Sequence, residues 1–426
     1  MEILSIVFGE FKLVKKSKLL LIFLFLLIVS YLSYRFVSNS ISSSERDKNK
    51  TNECVLSLFD DLEFKTESIL FYNVNSDSIL YEKNANQRRS PASITKIMTY
   101  IIAHENISDK NKKVVVEEDI LKSIEGTQSS LANLQLGEEY SVSDLLLGMM
   151  VPSGNDAALV LANYTFQGDI GLFINKMNEK AFDLGCKDTH FSNPHGLYDE
   201  NHYTTCYDLL KIINYALKIR EFRDTVKICE TELKGEKIKN SNMLLDKTSK
   251  YYCRYIKGIK TGYHSQAGCC LSSLAEYNGV EYIGILLGAP FKDEKGKKLD
   301  VNHAFEETES LCDYAFGNLQ VRRISILENP KLKSKKLGLD IPYYGFNSID
   351  IVVPFKNFKT ENLRVSFDFI EINEEDFPIN KGDKLGELHI LYDNKIVKRK
   401  DLVCSQDINL SFKSKYIQLL KKTFAN

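Results

Sequence analysis

The sequence predicts an α+β chain, an antiparallel sheet with a helical cluster, followed by a small all-β domain. Three observations carry this expectation. Apolar residues recur at helical spacing from Ser90 to Ile219, and strand-like runs flank that block, with a hairpin pattern at Ser68–Asn84 before it and three runs between Lys257 and Pro290 after it. From Val321 onward the pattern changes to short alternating runs interrupted by Pro and Gly. With 426 residues the chain is long enough for two or three domains and a sizeable core.

Taken in chain order, residues 1–36 read as a membrane-targeting segment. No charge falls between Lys18 and Arg35, and Lys12, Lys15, Lys16 and Lys18 crowd its N-terminal flank. This fits either a cleaved signal or a retained anchor; "VSNS" (Val37 to Ser40) is a poor cleavage site, which favours the anchor and places the following domains outside the cell membrane. Residues 37–53 are a polar linker. A catalytic domain is expected over 54–320. In "SILFYNVNSDSILYEKN" two apolar runs surround the turn formers Asn75 to Ser78, a hairpin. In "SPASITKIMTYIIAH", Ile94, Ile97, Met98, Ile101 and Ile102 define a helix face, with Ser90 expected to cap the N-terminus and Pro91 to fill its first position. Helices follow at "SVSDLLLGMM", "NDAALVLANYTF", "IGLFINKMNEKAFDLG" and "TTCYDLLKIINYALKI"; strands follow at "YIKGIKTGY", "GCCLSSLAEY" and "VEYIGILLGAP", the last two joined by Asn278-Gly279. Residues 321–410 form the β-rich domain, with strands at "IDIVVPF", "LRVSFDF" and "ELHILYDNKIV". Residues 411–426 make a basic amphipathic tail, equally suited to an anionic membrane surface and to packing on the β domain.

Composition excludes some functions. The formal net charge of −1 argues against nucleic acid as a partner. Nine cysteines without a C-x-x-C pair point to neither a zinc site nor a redox motif, and adjacent Cys269 and Cys270 read as small apolar residues on opposite faces of a strand. No cofactor or metal is expected.

The chemistry begins at Ser93 and Lys96. The helix puts them one turn apart on one face, and a serine hydroxyl needs a base within hydrogen-bond reach to act as a nucleophile. Lys96 serves as that base only when neutral, which burial and a neighbouring positive charge favour. Two further elements occur in order: Ser153-Gly154-Asn155, in a break between two helices, and Lys260-Thr261-Gly262, at the end of a strand. Each is ordinary alone; the ordered set of three is far more specific.

With these motifs the chain resembles the serine-type D-alanyl-D-alanine carboxypeptidases, the low-molecular-mass penicillin-binding proteins of peptidase family S11. The resemblance extends over "ILYEKNANQRRSPASITKIMT", "LLLGMMVPSGNDAALVLA", "THFSNPHGLYDENHYTT" and "GIKTGYHSQAGCCL", and "PINKGDKLGELHILYDNKIVKRKDL" resembles the family's C-terminal β domain. It implies a β-lactamase/transpeptidase-like catalytic fold and removal of the terminal D-alanine from peptidoglycan stem peptides through an acyl-serine that β-lactams also form. In that reading Ser93 is the nucleophile, Lys96 its base, Ser153 a proton relay and Asn155 a substrate ligand. Lys260 and Thr261 receive the terminal carboxylate, Gly262 allows close approach, and backbone N–H groups of Ser93 and Tyr263 form the oxyanion hole.

His264 stands where many members of the family have threonine, and reads as an exposed bystander near the cleft mouth. His195 and His202 read as structural hydrogen-bonding groups. The alternatives are a peptidoglycan D,D-endopeptidase, a class A β-lactamase-like hydrolase and a catalytically silent wall-binding protein. The second would carry a deacylating glutamate, yet "HFSNPHGLYDEN" lacks a Glu-x-x-Leu-Asn pattern.

Overall fold

The computed structural model describes residue 59 and residues 62–127, 129–334, 339–356, 358–373 and 376–409. The expected membrane-targeting segment, the linker and the basic tail lie outside these residues.

A five-stranded antiparallel sheet organises the first part of the chain. Its strands are β1 (Ser68–Asn73), β2 (Ser78–Lys83), β3 (Ile256–His264), β4 (Gly268–Tyr277) and β5 (Val280–Ala289), in the order β2-β1-β5-β4-β3. Strands from the two ends of this first part thus meet in one sheet, because β1 pairs with β5 from Ser68↔Leu287 to Asn73↔Tyr282. The expected hairpin of β1 and β2 and the Asn278-Gly279 turn are both present, the latter with positive φ at both residues. Strand β3 is an edge strand, so among the described residues one of its sides has no strand neighbour.

Side-chain alternation along these strands buries both faces of the sheet. Leu70, Ile283, Ile285 and Leu287 face a helical cluster, whereas Ile69, Phe71, Tyr282 and Leu286 face α7 (His303–Asn318). The cluster comprises α1 (Lys96–Asn106), α2 (Val142–Met150), α3 (Asn155–Thr165), α4 (Ile170–Asp183), α5 (Cys206–Ala216) and α6 (Arg220–Val226). Local signals set these boundaries. Ser141 and Asp144 form a reciprocal capping box on α2, and Asp169 and Thr205 cap α4 and α5. Helix α1 departs from expectation: it is preceded by a 3-10 turn, Ala92–Thr95, and has no side-chain cap. The hydroxyl of Ser90 is bonded instead to His264, so Ser90 is not the cap its position suggested.

Beyond α7 the described residues are β strands and loops, with one short 3-10 turn at Thr360–Asn362. Strands β6 (Leu319–Ser325) and β7 (Ser348–Pro354) pair antiparallel, and β8 (Leu363–Phe369), β9 (Lys384–Tyr392) and β10 (Lys395–Val403) form a three-stranded sheet in that order. Ile351, Val353, Leu388, Ile390 and Leu402 fill the space between these sheets. Strand β10 also docks on the first domain: buried Lys398 donates to Ser76 O at 2.6 Å and Ser78 Oγ at 3.0 Å in the β1–β2 turn, beside a Lys400–Asp77 ion pair at 2.6 Å.

Candidate active site

The 3-10 turn, the α2–α3 junction and edge strand β3 converge on one cleft of about 810 Å³. Ser93, Ser153, Asn155, Thr261, Gly262 and Tyr263 all line it. Lys96 and Lys260 lie beneath, both fully buried.

Ser93 sits on a constrained turn. Ala92 adopts φ +47°, a region costly for a residue with a Cβ, and its carbonyl accepts a bond from Thr95 Oγ1 at 2.7 Å. His202 reinforces the same hydroxyl: its Nδ1 accepts from Ser192 N at 3.0 Å, which leaves Nε2–H to donate to Thr95 Oγ1 at 2.7 Å. Burial holds the His202 pKa at about 4, so the ring stays neutral and this tautomer persists. The Asn193–Leu197 loop closes the turn from below. Gly196 has φ +90°, and a Cβ there would stand 1.9 Å from Ala92 O, which only glycine avoids.

Lys96 is one helical turn away and its Nζ lies 2.9 Å from Ser93 Oγ. The same nitrogen donates to Asn155 Oδ1 at 2.6 Å and to the His195 carbonyl at 2.8 Å. These two acceptors match the two N–H bonds of a neutral amine and leave its lone pair for the Ser93 hydroxyl. Burial is the main force pushing the Lys96 pKa well below its ordinary value; the charge of Lys260 pushes the same way and Asp156 opposes. His195 contributes its carbonyl rather than its ring, whose Nδ1 accepts from Leu197 N at 3.1 Å.

Asn155 begins α3, and Ser153 precedes it with φ +70°. The adjoining Asp156 carboxylate accepts from Ala132 N at 2.8 Å and Leu134 N at 3.1 Å, and Asn155 N donates to Ser130 O at 2.9 Å. This fastens the 130–134 segment to the start of α3, where the helix dipole favours a carboxylate. On the opposite wall Lys260 Nζ lies 3.1 Å from Thr261 O and 3.4 Å from Ser241 Oγ, and Ser241 and Thr261 hydroxyls are 2.6 Å apart. Burial lowers the Lys260 pKa to about 7. Gly262 runs directly against the 3-10 turn that carries Ser93: a Cβ there would be 2.8 Å from Pro91 O and 3.0 Å from Ser93 N.

All eight residues singled out in the sequence therefore meet around this cleft. Ser241, Asp156, Thr95 and the Ser90–His264 pair were not anticipated. Asp156 carried a signal, a carboxylate in the first turn of a helix; Ser241, in "KNSNML", carried none. His264 is not an exposed bystander but half-buried and bonded through both ring nitrogens.

The profile described as D-alanyl-D-alanine carboxypeptidase matches residues 57–291, more than half of the chain. The chain belongs to this family, peptidase S11. A second profile, the C-terminal domain of penicillin-binding protein 5, matches residues 346–410. The D-alanyl-D-alanine carboxypeptidase DacF of Bacillus subtilis is 28% identical over 396 residues, covering 90% of this chain and 93% of the relative. The D-alanyl-D-alanine carboxypeptidase of Streptomyces sp. is 33% identical over 253 residues, covering 55% and 84%. Among solved structures, penicillin-binding protein 5 from Haemophilus influenzae superposes with a TM-score of 0.64 at 25% identity, covering 82% of this chain and 99% of that one. The protein is thus a serine-type D-Ala-D-Ala carboxypeptidase, a penicillin-binding hydrolase of the cell wall acting on the peptidoglycan stem peptide. Its fold is the expected catalytic domain with a C-terminal all-β region. The β-lactamase-like, endopeptidase and silent alternatives are not favoured.

Proposed function

We propose that Ser93 is the acylated nucleophile and Lys96 its general base, acting on stem peptides that end in D-Ala-D-Ala. The observation that carries this is the bonding of buried Lys96, whose nitrogen has Ser93 Oγ at 2.9 Å and two fixed acceptors for its own hydrogens. Ser93 Oγ passes its proton to Lys96 Nζ and bonds to the carbonyl carbon of the penultimate D-alanine. The oxyanion rests against backbone N–H groups of Ser93 and Tyr263, on a turn and a strand held together by Gly262. Collapse breaks the C–N bond; the proton returns from Lys96 through Ser153 to the leaving nitrogen, and free D-alanine departs. Water then attacks the ester, giving its proton to Lys96, and releases Ser93.

The substrate backbone pairs along the free side of β3, and Asn155 ligates it from across the cleft. Lys260 and Thr261 take the terminal carboxylate, with Ser241 orienting the Thr261 hydroxyl. The apolar N-terminal segment, lysine-flanked, supports anchoring in the cell membrane with the catalytic domain extracytoplasmic; the basic tail is a second membrane contact. The test is peptide-level mass spectrometry of the full chain after brief exposure to a penicillin. A stoichiometric adduct on the Ser93 peptide, absent in Ser93→Ala, is expected; an unmodified Ser93 in folded protein refutes the assignment. Protease protection in intact cells checks the location, and a catalytic domain shielded inside the cell refutes it.

A further inference from the structure

His264 ends strand β3, one residue beyond Tyr263, and none of the steps above uses it. Its ring is nevertheless fixed at both nitrogens. Nδ1 accepts from Gln266 N at 3.2 Å and Ala267 N at 3.0 Å, both backbone donors of the β3–β4 turn. An Nδ1 occupied as acceptor puts the proton on Nε2, which lies 2.8 Å from Ser90 Oγ and donates to it. Ser90 is three residues before Ser93, at the entry to the nucleophile turn. The bond thus joins the two backbone segments that carry Ser93 N–H and Tyr263 N–H.

We propose that His264 is a positioning residue whose neutral ring ties the end of β3 to the nucleophile turn, and that protonation of the ring unties them and slows acylation. This inference rests on the assignment of Ser93. A second proton, on Nδ1, would point at two backbone N–H groups that have no lone pairs to receive it, so the turn must open or the ring must swing away from Ser90. Burial acts in the same direction, holding the His264 pKa below its ordinary value, while the Gln266 side chain opposes. The groups that face the ring are Tyr198, edge-on with centroids 5.7 Å apart, and His202 from the same loop. Asp199 and Glu200 line the neighbouring cavity, and Lys298 and Asp300 line the active-site cleft beyond it. The device therefore responds on the acid side of the ordinary histidine value of about 6.5.

The experiment compares acylation rate constants of the full chain with a fluorescent penicillin at pH 8 and pH 5, for wild type, His264→Asn and Ser90→Ala. Asparagine keeps an acceptor for the turn and does not titrate; alanine at 90 cuts the same tie from its other end. Displacing one oxyanion donor by a few tenths of an ångström corresponds to about tenfold in rate. The wild-type rate is therefore expected to exceed each variant about tenfold at pH 8, and that ratio to fall toward one as the pH drops to 5. Common losses from Lys96 protonation cancel in this ratio, and a merely structural histidine would leave the ratio unchanged with pH. Ratios equal at the two pH values, with wild type acylated, overturn this inference alone. Wild type without acylation at either pH overturns the assignment of Ser93, and this inference with it. Circular dichroism at both pH values verifies folding, and Ser90→Ala decides the question should His264→Asn not fold.

Discussion

Gly262→Ala isolates a steric requirement of the site. Gly262 has no positive φ, so the backbone of β3 accepts alanine, and the strain arises only from what the new methyl group meets. The Cβ would stand 2.8 Å from Pro91 O, 3.0 Å from Ala92 Cβ and 3.0 Å from Ser93 N, against an ordinary contact of 3.4 Å or more. None of these neighbours is the free end of a flexible side chain. Relief requires β3 and the Ser93 turn to part by about half an ångström, which in the proposed mechanism separates the two oxyanion donors and shifts Ser93 Oγ from the carbonyl it attacks. A misplacement of about 1 Å costs around a hundredfold, so acylation should fall about 10- to 100-fold, or about 1.4–2.7 kcal/mol of barrier. The assay is the second-order rate of penicillin acylation by stopped flow, with thermal melting as a check that the sheet is intact. Acylation within threefold of wild type, in a protein that melts normally, would refute the claim that the apposition of strand and turn holds the site together.

Two further outcomes follow from the buried charges. Asp156→Ala strands the Ala132 and Leu134 N–H groups, and at about 1–3 kcal/mol for each unsatisfied buried donor, urea unfolding should show a loss of about 2–6 kcal/mol; removing that carboxylate also drops the Lys96 pKa further, moving the acid limb of acylation to lower pH. Lys260, with a pKa of about 7, is charged below that value and neutral above it, so KM for a D-Ala-D-Ala peptide should be flat below about pH 7 and rise up to about tenfold per pH unit above it; a KM independent of pH from 6 to 9 would remove Lys260 from carboxylate recognition.

What the sequence revealed and what it concealed divide along a physical line. The spacing of Ile94, Ile97, Met98, Ile101 and Ile102 disclosed α1 and the turn before it, because a helix packed among other helices still repeats its apolar contacts at helical spacing. The proposed catalytic set, which the fold brings to one cleft, was legible because Ser93, Lys96, Ser153, Asn155 and Lys260 are chemical types that a spaced motif preserves. The start of α1 was misread: Ser90 and Pro91 form a plausible local cap, but the hydroxyl finds a ring 174 residues away. Ser241 was hidden for the same reason, and His202, expected to be a structural hydrogen-bonding group, gave no sign that Thr95 is its partner. Each is unremarkable within its own segment and acquires a role only when β3 or the 3-10 turn is folded against it. Local rules locate groups that must be chemically special, whereas the groups that orient them need only be near, and nearness is a tertiary property.

The charge balance explains why such a site acts at a chain end. Lys96 and Lys260 are both fully buried, and the buried carboxylate that acts on Lys96, Asp156, is already engaged by backbone N–H groups of Ala132, Leu134 and Ala157. Burial lowers both lysine pKa values, and among the described residues no carboxylate offers Lys260 a negative charge. A substrate with a free terminal carboxylate supplies that charge at the Lys260 end. Once bound, it favours the protonated form of Lys260, and a charged Lys260 holds Lys96 neutral. Recognition of the carboxylate and activation of the base are then one electrostatic event. A peptide whose last residue is amidated would bring no charge, leaving Lys260 partly neutral at pH 7 and the cleft without its ion pair. It should be a poor substrate even though its scissile bond is unchanged, and equal turnover of the free and amidated peptides would break the proposed link between Lys260 and Lys96.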